Sequence, residues 1–246
     1  MSLSKQVDYK MTVLPTGLHS LDKMLGGGLR RGSLTLIASR PGMGKTSLAL
    51  QIAGNLALEG KHVMFFSYEL LKEHILLRLK KPFGNVSVWD TLNIDDCFHP
   101  QGADFIRTDV IRNHKECDAV FIDYLQLLPR RPDRSAMIEC IRALKAFARS
   151  ANIPVIVTSQ LPRPDVLPPF NEKETYHRPI LSDLYDLKIP ALYADVVIFP
   201  FRESYYMEDL EEEIDELIVA GNNYGVTGTI PVHWNPEKLI FEETDQ

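Results

Sequence analysis

The order of apolar and polar residues predicts strands and helices in alternation along most of the chain. Five short runs are almost wholly apolar and have the composition of buried strands: residues 34–39, 62–67, 118–123, 153–159 and 195–200. Apolar residues at helical spacing predict three helices, over residues 45–57, from about residue 69 to residue 80, and across residues 135–150. Apolar strands that alternate with helices indicate an α/β fold, in which a mostly parallel sheet has helices on both faces.

The last part of the chain has a different pattern. Three shorter strands, joined by Gly and Asn-Pro turns, are predicted at residues 216–220, 227–234 and 238–241, and we expect them to add an antiparallel edge to the sheet. Two stretches show no clear period. Residues 161–179 contain five prolines and residues 202–216 contain eight acidic residues, so both are predicted to be exposed loops.

Composition narrows the class of protein. Of the 246 residues 45% are apolar and 24% are charged, which argues against a disordered chain. The three cysteines are few and odd in number, which argues against a disulfide scaffold and fits the reducing cytoplasm. They also lack C-x-x-C or metal-binding spacing. No apolar run approaches the roughly 20 residues that span a bilayer, so no membrane association is predicted. The net charge of −6 disfavours a generic polyanion binder but leaves a local basic patch open.

The segment between the first apolar run and the first predicted helix carries the clearest chemistry. Residues 39–46 (SRPGMGKT), called the P-loop below, match the phosphate-binding pattern G-x-x-x-x-G-K-[ST], except that Ser39 replaces the first glycine. Glycines let backbone N–H groups close around phosphate oxygens, and the positive end of the next helix dipole points to the same place. The predicted nucleotide-binding residues are Arg40, Pro41, Gly42, Met43, Gly44, Lys45, Thr46 and Ser47.

Within this loop Lys45 is suited to reach the β- and γ-phosphates, and the Thr46 hydroxyl is suited to bind Mg²⁺. The alternative is a glycine-rich turn in which Lys-Thr occurs by chance. The position between a predicted strand and a predicted helix is the context that the pattern requires, and it favours nucleotide binding.

Three polar residues stand at or just after the ends of other apolar runs. Asp123 closes one run and can hold Mg²⁺ through water. Glu69 follows another run by two residues, where a carboxylate can take a proton from an attacking water. Gln160 follows a third run and can sense a γ-phosphate. Taken alone, each residue also has a purely structural explanation. Asp123 fits a common strand end, Glu69 fits an acid at the start of a helix, and Gln160 fits a polar strand terminus.

Several segments resemble, in order, the ATPase domain of DnaB-type replicative helicases. The resemblance extends from about residue 13 to residue 241 and rests on patterns that recur in their expected contexts. The matching segments are residues 14–17 (LPTG), 40–46 (RPGMGKT), 65–69 (FFSYE), 122–128 (IDYLQLL), 154–161 (PVIVTSQL), 178–184 (RPILSDL) and 194–197 (ADVV).

The resemblance implies a RecA-like P-loop NTPase core that binds ATP with Mg²⁺. On the matching positions it assigns Lys45 and Thr46 to the phosphates and the magnesium ion. It assigns Glu69 to the general base, Asp123 to the magnesium shell and Gln160 to γ-phosphate sensing. Members of the family act as hexameric rings that move along single-stranded DNA, so single-stranded DNA and further copies of this chain are the expected partners.

Two of the departures from the family pattern concern groups that act between subunits. Where the family has Lys-Gln-Arg-Asn-Gly and lends a basic finger to the neighbouring subunit, residues 221–225 read Gly-Asn-Asn-Tyr-Gly. The nearest basic residues, Arg202 and Lys238, do not occupy matching positions. Before the match we predict only an N-terminal extension, residues 1–12, followed by one ATPase domain over residues 13–246, so the family's N-terminal domain and linker helix are expected to be missing.

Basic residues in two predicted loops are the candidates for contact with single-stranded DNA. Arg130, Arg131 and Arg134 follow Asp123, and Arg163 lies in the proline-rich stretch. The resemblance places both loops at the central channel of the ring. Short basic clusters can follow a phosphate backbone, but a solvated surface is an equally good explanation in an acidic chain.

Two functions stay open at this point. The first is an ATP-hydrolysing, DnaB-like helicase domain that acts on or beside single-stranded DNA in replication, which Glu69 and Gln160 favour. The second is a nucleotide-dependent regulator or scaffold that is not a motor, which the uncharged segment at residues 221–225 favours. A small-molecule kinase would share the P-loop but would not explain the other matching segments.

Overall fold

The computed structural model describes residues 13–84, 90–96, 102–129, 133–161, 178–186, 193–205 and 215–244, and a nine-stranded sheet organises them. Two short strands near the start, β1 (Val13–Leu14) and β2 (Leu29–Arg30), pair only with each other. The strands of the large sheet are β3 (Leu34–Ser39), β4 (Val63–Ser67), β5 (Leu92–Asp96), β6 (Ala119–Asp123), β7 (Val155–Gln160), β8 (Val196–Arg202), β9 (Asp215–Asn222), β10 (Gly228–Asn235) and β11 (Ile240–Glu243).

The order of strands across this sheet is β11-β10-β9-β8-β3-β7-β6-β4-β5. The strands from β8 to β5 are all parallel, whereas β9, β10 and β11 run antiparallel to their neighbours. The predicted parallel sheet and the predicted antiparallel edge are both confirmed. Strand β3, which leads into the P-loop, lies between β7 and β8 and is buried along its whole length.

Helices cover both faces of the sheet. On one face lie α1 (His19–Met24), α2 (Lys45–Leu58) and α3 (Lys72–Phe83), and on the other lie α4 (Ala103–Asn113), α5 (Arg134–Ala151) and the single turn α6 (Asp183–Asp186). Side chains alternate between the two cores along each strand, so Phe65 packs on the α2 side and Phe66 on the α5 side. None of the helices in these ranges is long and apolar enough to cross a bilayer.

Some elements are not predicted by the apolar pattern. The edge strand β5 has only two buried residues, Leu92 and Ile94, too few to show a period. Helix α4 buries three residues, a narrower stripe than the six that α5 buries, and only the wide stripe is visible in the sequence. Helix α1 has six residues, of which one is buried.

The helix predicted to begin near residue 69 begins later. Ser67 Oγ donates to the Leu70 carbonyl at 2.7 Å and accepts the Leu70 N–H at 3.0 Å, which holds a turn at the end of β4. Helix α3 therefore starts at Lys72, whose N–H is capped by Asp96 at 3.0 Å. Glu69 lies in the turn and not in the helix.

The prediction of an acidic, solvated loop over residues 202–216 is wrong at both ends. Arg202 ends β8, and the buried Asp215 and Glu216 begin β9. Asp215 lies opposite Arg202 in the ladder, and Glu216 accepts from Arg178 at 2.7 Å, so cations allow these acids to enter a strand. Of the two predicted loops, residues 206–214 and 162–177 lie outside the described residues.

Strand β11 is hydrogen-bonded to the two N-terminal helices, α1 and α2. Phe241 and Gln51 of α2 exchange two hydrogen bonds, of 2.7 Å and 2.9 Å, between the Phe241 backbone and the Gln51 side-chain amide. Glu243 accepts the backbone N–H groups of His19 and Ser20 at the start of α1, the first of them at 2.8 Å. Strand β11 therefore satisfies groups that a helix end leaves without intrahelical partners.

A buried charge pair ties α5 to the sheet. Asp195, directly before β8, is 5% exposed, forms an ion pair with Lys145 of α5 and accepts the Leu34 N–H at 2.8 Å. Burial by itself raises the pKa of Asp195, but the hydrogen bonds from Lys145 and the Leu34 amide outweigh it, so the pKa lies below its usual value.

We expect Asp195→Asn to lower the free energy of unfolding by about 3 kcal/mol, because it leaves the largely buried Lys145 ammonium without its carboxylate. The lowered pKa makes this contribution complete at neutral pH, and it is lost as the pH falls below the unfolded-state pKa of about 3.9 and through the folded-state pKa. Urea unfolding should therefore show a smaller difference between the two proteins at about pH 3 than at about pH 7.

The matched control is Glu242→Gln, which removes the partner of the half-exposed Lys238 and should cost less than about 1 kcal/mol. Equal losses in the two variants would show that the buried pair does not stabilise the fold in this way.

Candidate nucleotide-binding site

The P-loop has the backbone shape that phosphate binding requires. Gly42 and Gly44 have φ angles of +85° and +94°, in the left-handed region that glycine adopts without steric cost. Gly44 is followed by Lys45, the first residue of α2, so the N–H groups of the first helical turn lie beside the loop. Such a helix start is favourable for an anion.

A cavity of about 280 Å³ opens beside this loop. Glu69 lines it, together with six of the eight predicted nucleotide-binding residues: Arg40, Gly42, Gly44, Lys45, Thr46 and Ser47. The Met43 side chain is buried elsewhere, beside Pro200 and Phe201 in a separate and much smaller cavity, and Pro41 does not line the larger one. The Met43 side chain therefore does not line the larger cavity.

Asp123, the last residue of β6, lies fully buried next to Thr46. Thr46 Oγ1 donates to its two carboxylate oxygens at 3.0 Å and 3.2 Å, and Thr158 Oγ1 of β7 donates to Oδ1. Burial raises the pKa of the Asp123 carboxyl, against the lowering effects of the Thr158 hydrogen bond and the Lys45 charge. The carboxylate and the Thr46 hydroxyl are hard oxygen donors, the ligand type that suits Mg²⁺.

Glu69 faces Lys45 across the cavity. Lys45 Nζ is 3.6 Å from Glu69 Oε2 and 5.2 Å from the centre of the Tyr124 ring. The Glu69 side chain is 42% exposed, whereas the Lys45 side chain is 10% exposed, so the carboxylate lies on the solvent side of the pair. Because Glu69 precedes α3, the alternative of an acid in the first turn of a helix does not apply.

Gln160 ends β7 opposite Ser39, the residue that begins the P-loop. The side-chain amide of Gln126 fixes this strand end, since it donates to Gln160 O and Ser159 Oγ, both at 2.9 Å, and accepts the Gln160 N–H at 3.3 Å. Gln160 therefore lies at the same sheet edge as the P-loop, although among the described residues it does not line the cavity.

Residues 221–225, where the resemblance places a basic finger, form the end of β9 and the turn into β10. Asn222 Nδ2 donates to the Met24 carbonyl at 3.0 Å, and Asn223 Nδ2 contacts Asp195 Oδ1 at 3.4 Å. The turn is thus attached to its own chain through uncharged amides. Arg202 is one of the two basic residues nearest to residues 221–225 in the sequence. Its Nη1 donates to the Gly42 carbonyl at 3.2 Å, so it contacts the P-loop of its own chain.

Of the four arginines predicted to contact DNA, one falls in the described ranges. Arg134 is exposed and is the first residue of α5, not a loop residue as predicted, because Asp133 caps the helix by accepting the Ala136 N–H at 2.9 Å. The other three, outside the described ranges, are Arg130, Arg131 and Arg163.

Four cavity residues are not identified by the sequence patterns: Leu70, Arg78, Trp234 and Leu239. Trp234 is on β10 and Leu239 is in the turn that follows it, so both come from the antiparallel edge, which packs against the P-loop. A β-carbon added to Gly44 would lie 3.5 Å from the Trp234 ring. No local pattern near residue 44 points to this long-range packing.

The model of the DnaB-like helicase C terminal domain family matches residues 13–95 and 91–243. The chain belongs to this family. A replicative DNA helicase DnaB from Geobacillus stearothermophilus is 32% identical over an alignment of 267 positions, gaps included, that covers 95% of this chain and 57% of that protein. The replicative DNA helicase DnaC from Bacillus subtilis is 31% identical, with 94% and 56% covered. The chain therefore spans little more than half the length of these relatives.

Solved structures agree with this membership of the DnaB-like family. One of them, a separately solved ATPase domain, superposes with a TM-score of 0.80 at 28% identity, covering 97% of this chain and 94% of that one. A DnaB-like replicative helicase, solved in a study of its interactions with primase, gives a TM-score of 0.83 at 28% identity and covers 97% of this chain and 64% of that one. The predicted RecA-like core with an antiparallel C-terminal edge is confirmed.

The burial of Asp123 leads to a prediction about stability. We expect Asp123→Asn to raise the melting temperature of the nucleotide-free protein by about 2–4 °C, the shift that about 1 kcal/mol gives in a chain of this size. Asparagine keeps the shape and an acceptor for the threonine hydroxyls but removes a negative charge that burial disfavours. Scanning calorimetry in the presence of a chelator makes the measurement. A lower melting temperature would mean that the charge itself stabilises the fold.

Proposed function

We propose that this chain is the ATP-hydrolysing domain of a DnaB-like replicative helicase, which acts on or beside single-stranded DNA with ATP and Mg²⁺. One observation carries the proposal: Lys45, Thr46 and Glu69 line one cavity, with the buried Asp123 hydrogen-bonded to Thr46, in a chain of this family. We also propose that residues 13–246 form one ATPase domain.

In the proposed mechanism the P-loop amides and the Lys45 ammonium bind the β- and γ-phosphates. Thr46 and Asp123 would hold Mg²⁺, which neutralises charge on the phosphate oxygens when bound. Phosphates that attract Lys45 draw it away from Glu69, whose carboxylate then accepts the proton of the attacking water. Gln160, at the edge of the sheet beside the P-loop, is proposed to sense the γ-phosphate.

The segment at residues 221–225 favours a second candidate function, a nucleotide-dependent regulator or scaffold that is not a motor. An arginine finger supplies about 10³–10⁵ in rate in other phosphoryl-transfer enzymes. Asn222 and Asn223 carry no charge and are engaged with Met24 and Asp195 of their own chain. Slow hydrolysis by the isolated chain follows from either candidate, so the effects of DNA and of protein concentration distinguish them.

Single-stranded DNA and further copies of the chain are the proposed partners. Arg130, Arg131, Arg134 and Arg163 are the proposed DNA-contacting residues, and the exposure of Arg134 at the start of α5 is consistent with that role. Few phosphate contacts imply that affinity for DNA changes little with salt.

The proposed function is tested by ATP hydrolysis with and without single-stranded DNA, over a range of protein concentrations. We expect Mg²⁺-dependent turnover that DNA stimulates and that rises per subunit as copies assemble. Lys45→Ala should abolish both turnover and nucleotide binding measured by calorimetry, because it removes the positive charge that binds the β- and γ-phosphates. The control Lys72→Ala removes the same charge from an exposed position and should leave both unchanged. Slow turnover that neither DNA nor concentration changes would favour the regulator.

A separate prediction concerns the general base. Glu69→Gln keeps the shape of the side chain but cannot accept a proton, so turnover should fall about 10²-fold or more while ATP binding persists. The control is Glu73→Gln, which changes an exposed glutamate in the first turn of α3. Turnover of Glu69→Gln within about twofold of the parent would exclude this role.

A further inference from the structure

Arg202, at the end of β8, is held by residues from the antiparallel edge. Its guanidinium carbon lies 4.5 Å from the centre of the Trp234 ring and 5.7 Å from the centre of the Tyr205 ring. Its Nε is 3.9 Å from Asp215 Oδ1, and the other Asp215 oxygen accepts the Trp234 N–H at 2.8 Å. The side chain is 15% exposed, so these contacts hold a largely buried cation in one place.

From this position Arg202 reaches the P-loop. Its Nη1 donates to the Gly42 carbonyl at 3.2 Å. Tyr205 covers the same glycine, since a β-carbon added to Gly42 would lie 2.5 Å from Tyr205 Cζ. The N–H of the next residue, Met43, is directed to the Arg40 carbonyl at 3.4 Å. Both ends of the peptide that joins Gly42 to Met43 are therefore held.

The orientation of this peptide matters for an anion. A phosphate-binding loop turns its N–H groups toward the anion and its carbonyl groups away from it. A glycine peptide reverses easily, because glycine populates both signs of φ, and a reversed peptide would present its oxygen to the phosphates. A cation that holds the Gly42 carbonyl opposes such a reversal through a charge-assisted hydrogen bond. Because the Met43 N–H bonds to the Arg40 carbonyl, this peptide closes the turn of the loop and leaves phosphate binding to the N–H groups that follow it.

We propose that Arg202 is a positioning residue of the nucleotide site, which fixes the Gly42–Met43 peptide of its own chain and with it the turn of the P-loop that leads into the start of α2. The proposal rests on the nucleotide binding proposed above and assigns a role in it to the antiparallel edge. Arg202, Asp215 and Trp234 come from β8, β9 and β10, so three neighbouring strands build the support for one peptide. This role is in cis and differs from that of a finger lent to a neighbour.

The test compares Arg202→Ala and Arg202→Lys with Arg178→Ala in the full 246-residue chain. Arg178 also pairs with a β9 carboxylate, Glu216, at 2.7 Å, so its removal is a matched control that leaves the P-loop alone. Calorimetry gives the Kd for Mg·ADP, thermal melting gives stability, and steady-state turnover gives kcat and KM for ATP.

We expect Arg202→Ala to raise the Kd for Mg·ADP about tenfold or more, as loss of a charge-assisted hydrogen bond does. The KM for ATP should rise in parallel, with kcat at saturation within about threefold of the parent. Arg202→Lys should fold and still bind more weakly than the parent, because an ammonium cannot lie flat on Trp234 while it donates to Gly42. Arg178→Ala should keep the parental Kd.

Other outcomes overturn the proposal. A parental Kd in both Arg202 variants would mean that the contact does not set the P-loop. A loss confined to kcat would mean that Arg202 acts on the transferred phosphate itself. Activity regained on mixing Arg202→Ala with Lys45→Ala subunits would mean that the arginine works in trans. If the parent does not bind Mg·ADP, or Lys45→Ala binds as the parent does, the proposed function fails and not this role alone.

Discussion

The carboxyl ends of four parallel strands meet at one edge of the sheet, and this constraint places the groups of the candidate nucleotide-binding site. The ladder sets Ser39 beside Gln160 and Ser67 beside Asp123. The ends of β4 and β6 lie two residues short of the ends of β3 and β7, so all four strands end near one level. Each turn beyond that level then adds its polar group to a shared space. The P-loop, Glu69 and Asp123 are far apart in the chain and close in space for this reason alone.

The same edge carries a buried carboxylate, that of Asp123. Burial disfavours the charge of Asp123, and the hydroxyls of Thr46 and Thr158 offset only part of that effect. The two apolar cores on the faces of the sheet supply the stability that lets such a carboxylate persist. Asp123, at the carboxyl end of β6, therefore contrasts with Asp195, whose ion pair with Lys145 lies at the amino end of β8.

The parts of the fold that depend on local patterns could be predicted from the sequence. The buried strands are contiguous apolar runs, α5 carries a strong helical period, and the P-loop that leads into α2 is a contiguous motif, so the positions of these elements are nearly those predicted. Glu69 and Asp123 could be proposed because strand ends are visible in the pattern. The start of α3 could not be predicted from the apolar pattern, because it depends on the hydrogen bonds of one side chain, that of Ser67.

Features that depend on pairing between distant segments left no local signal. The acids at residues 215 and 216 have the composition of a loop, and only their partners Arg202 and Arg178 show why they enter a strand. Arg202 and Trp234 reach the P-loop through the order of the C-terminal strands. Arg134 is the reverse case. The Asp133 cap that begins α5 is a local signal, but the composition around it groups Arg134 with the arginines of the predicted loop before it.

The attachment of β11 to α1 and α2 has a consequence for the newly made chain. The contacts from Phe241 to Gln51 and from Glu243 to His19 join residues 190 and 224 positions apart. Synthesis proceeds from the N-terminus, so the P-loop leaves the ribosome long before Trp234 and Phe241 exist to support it. Closing such distant pairs is slow relative to local helix formation. The P-loop is thus made well before the strands that hold it, and it is among the last parts of this fold to be held in its final shape.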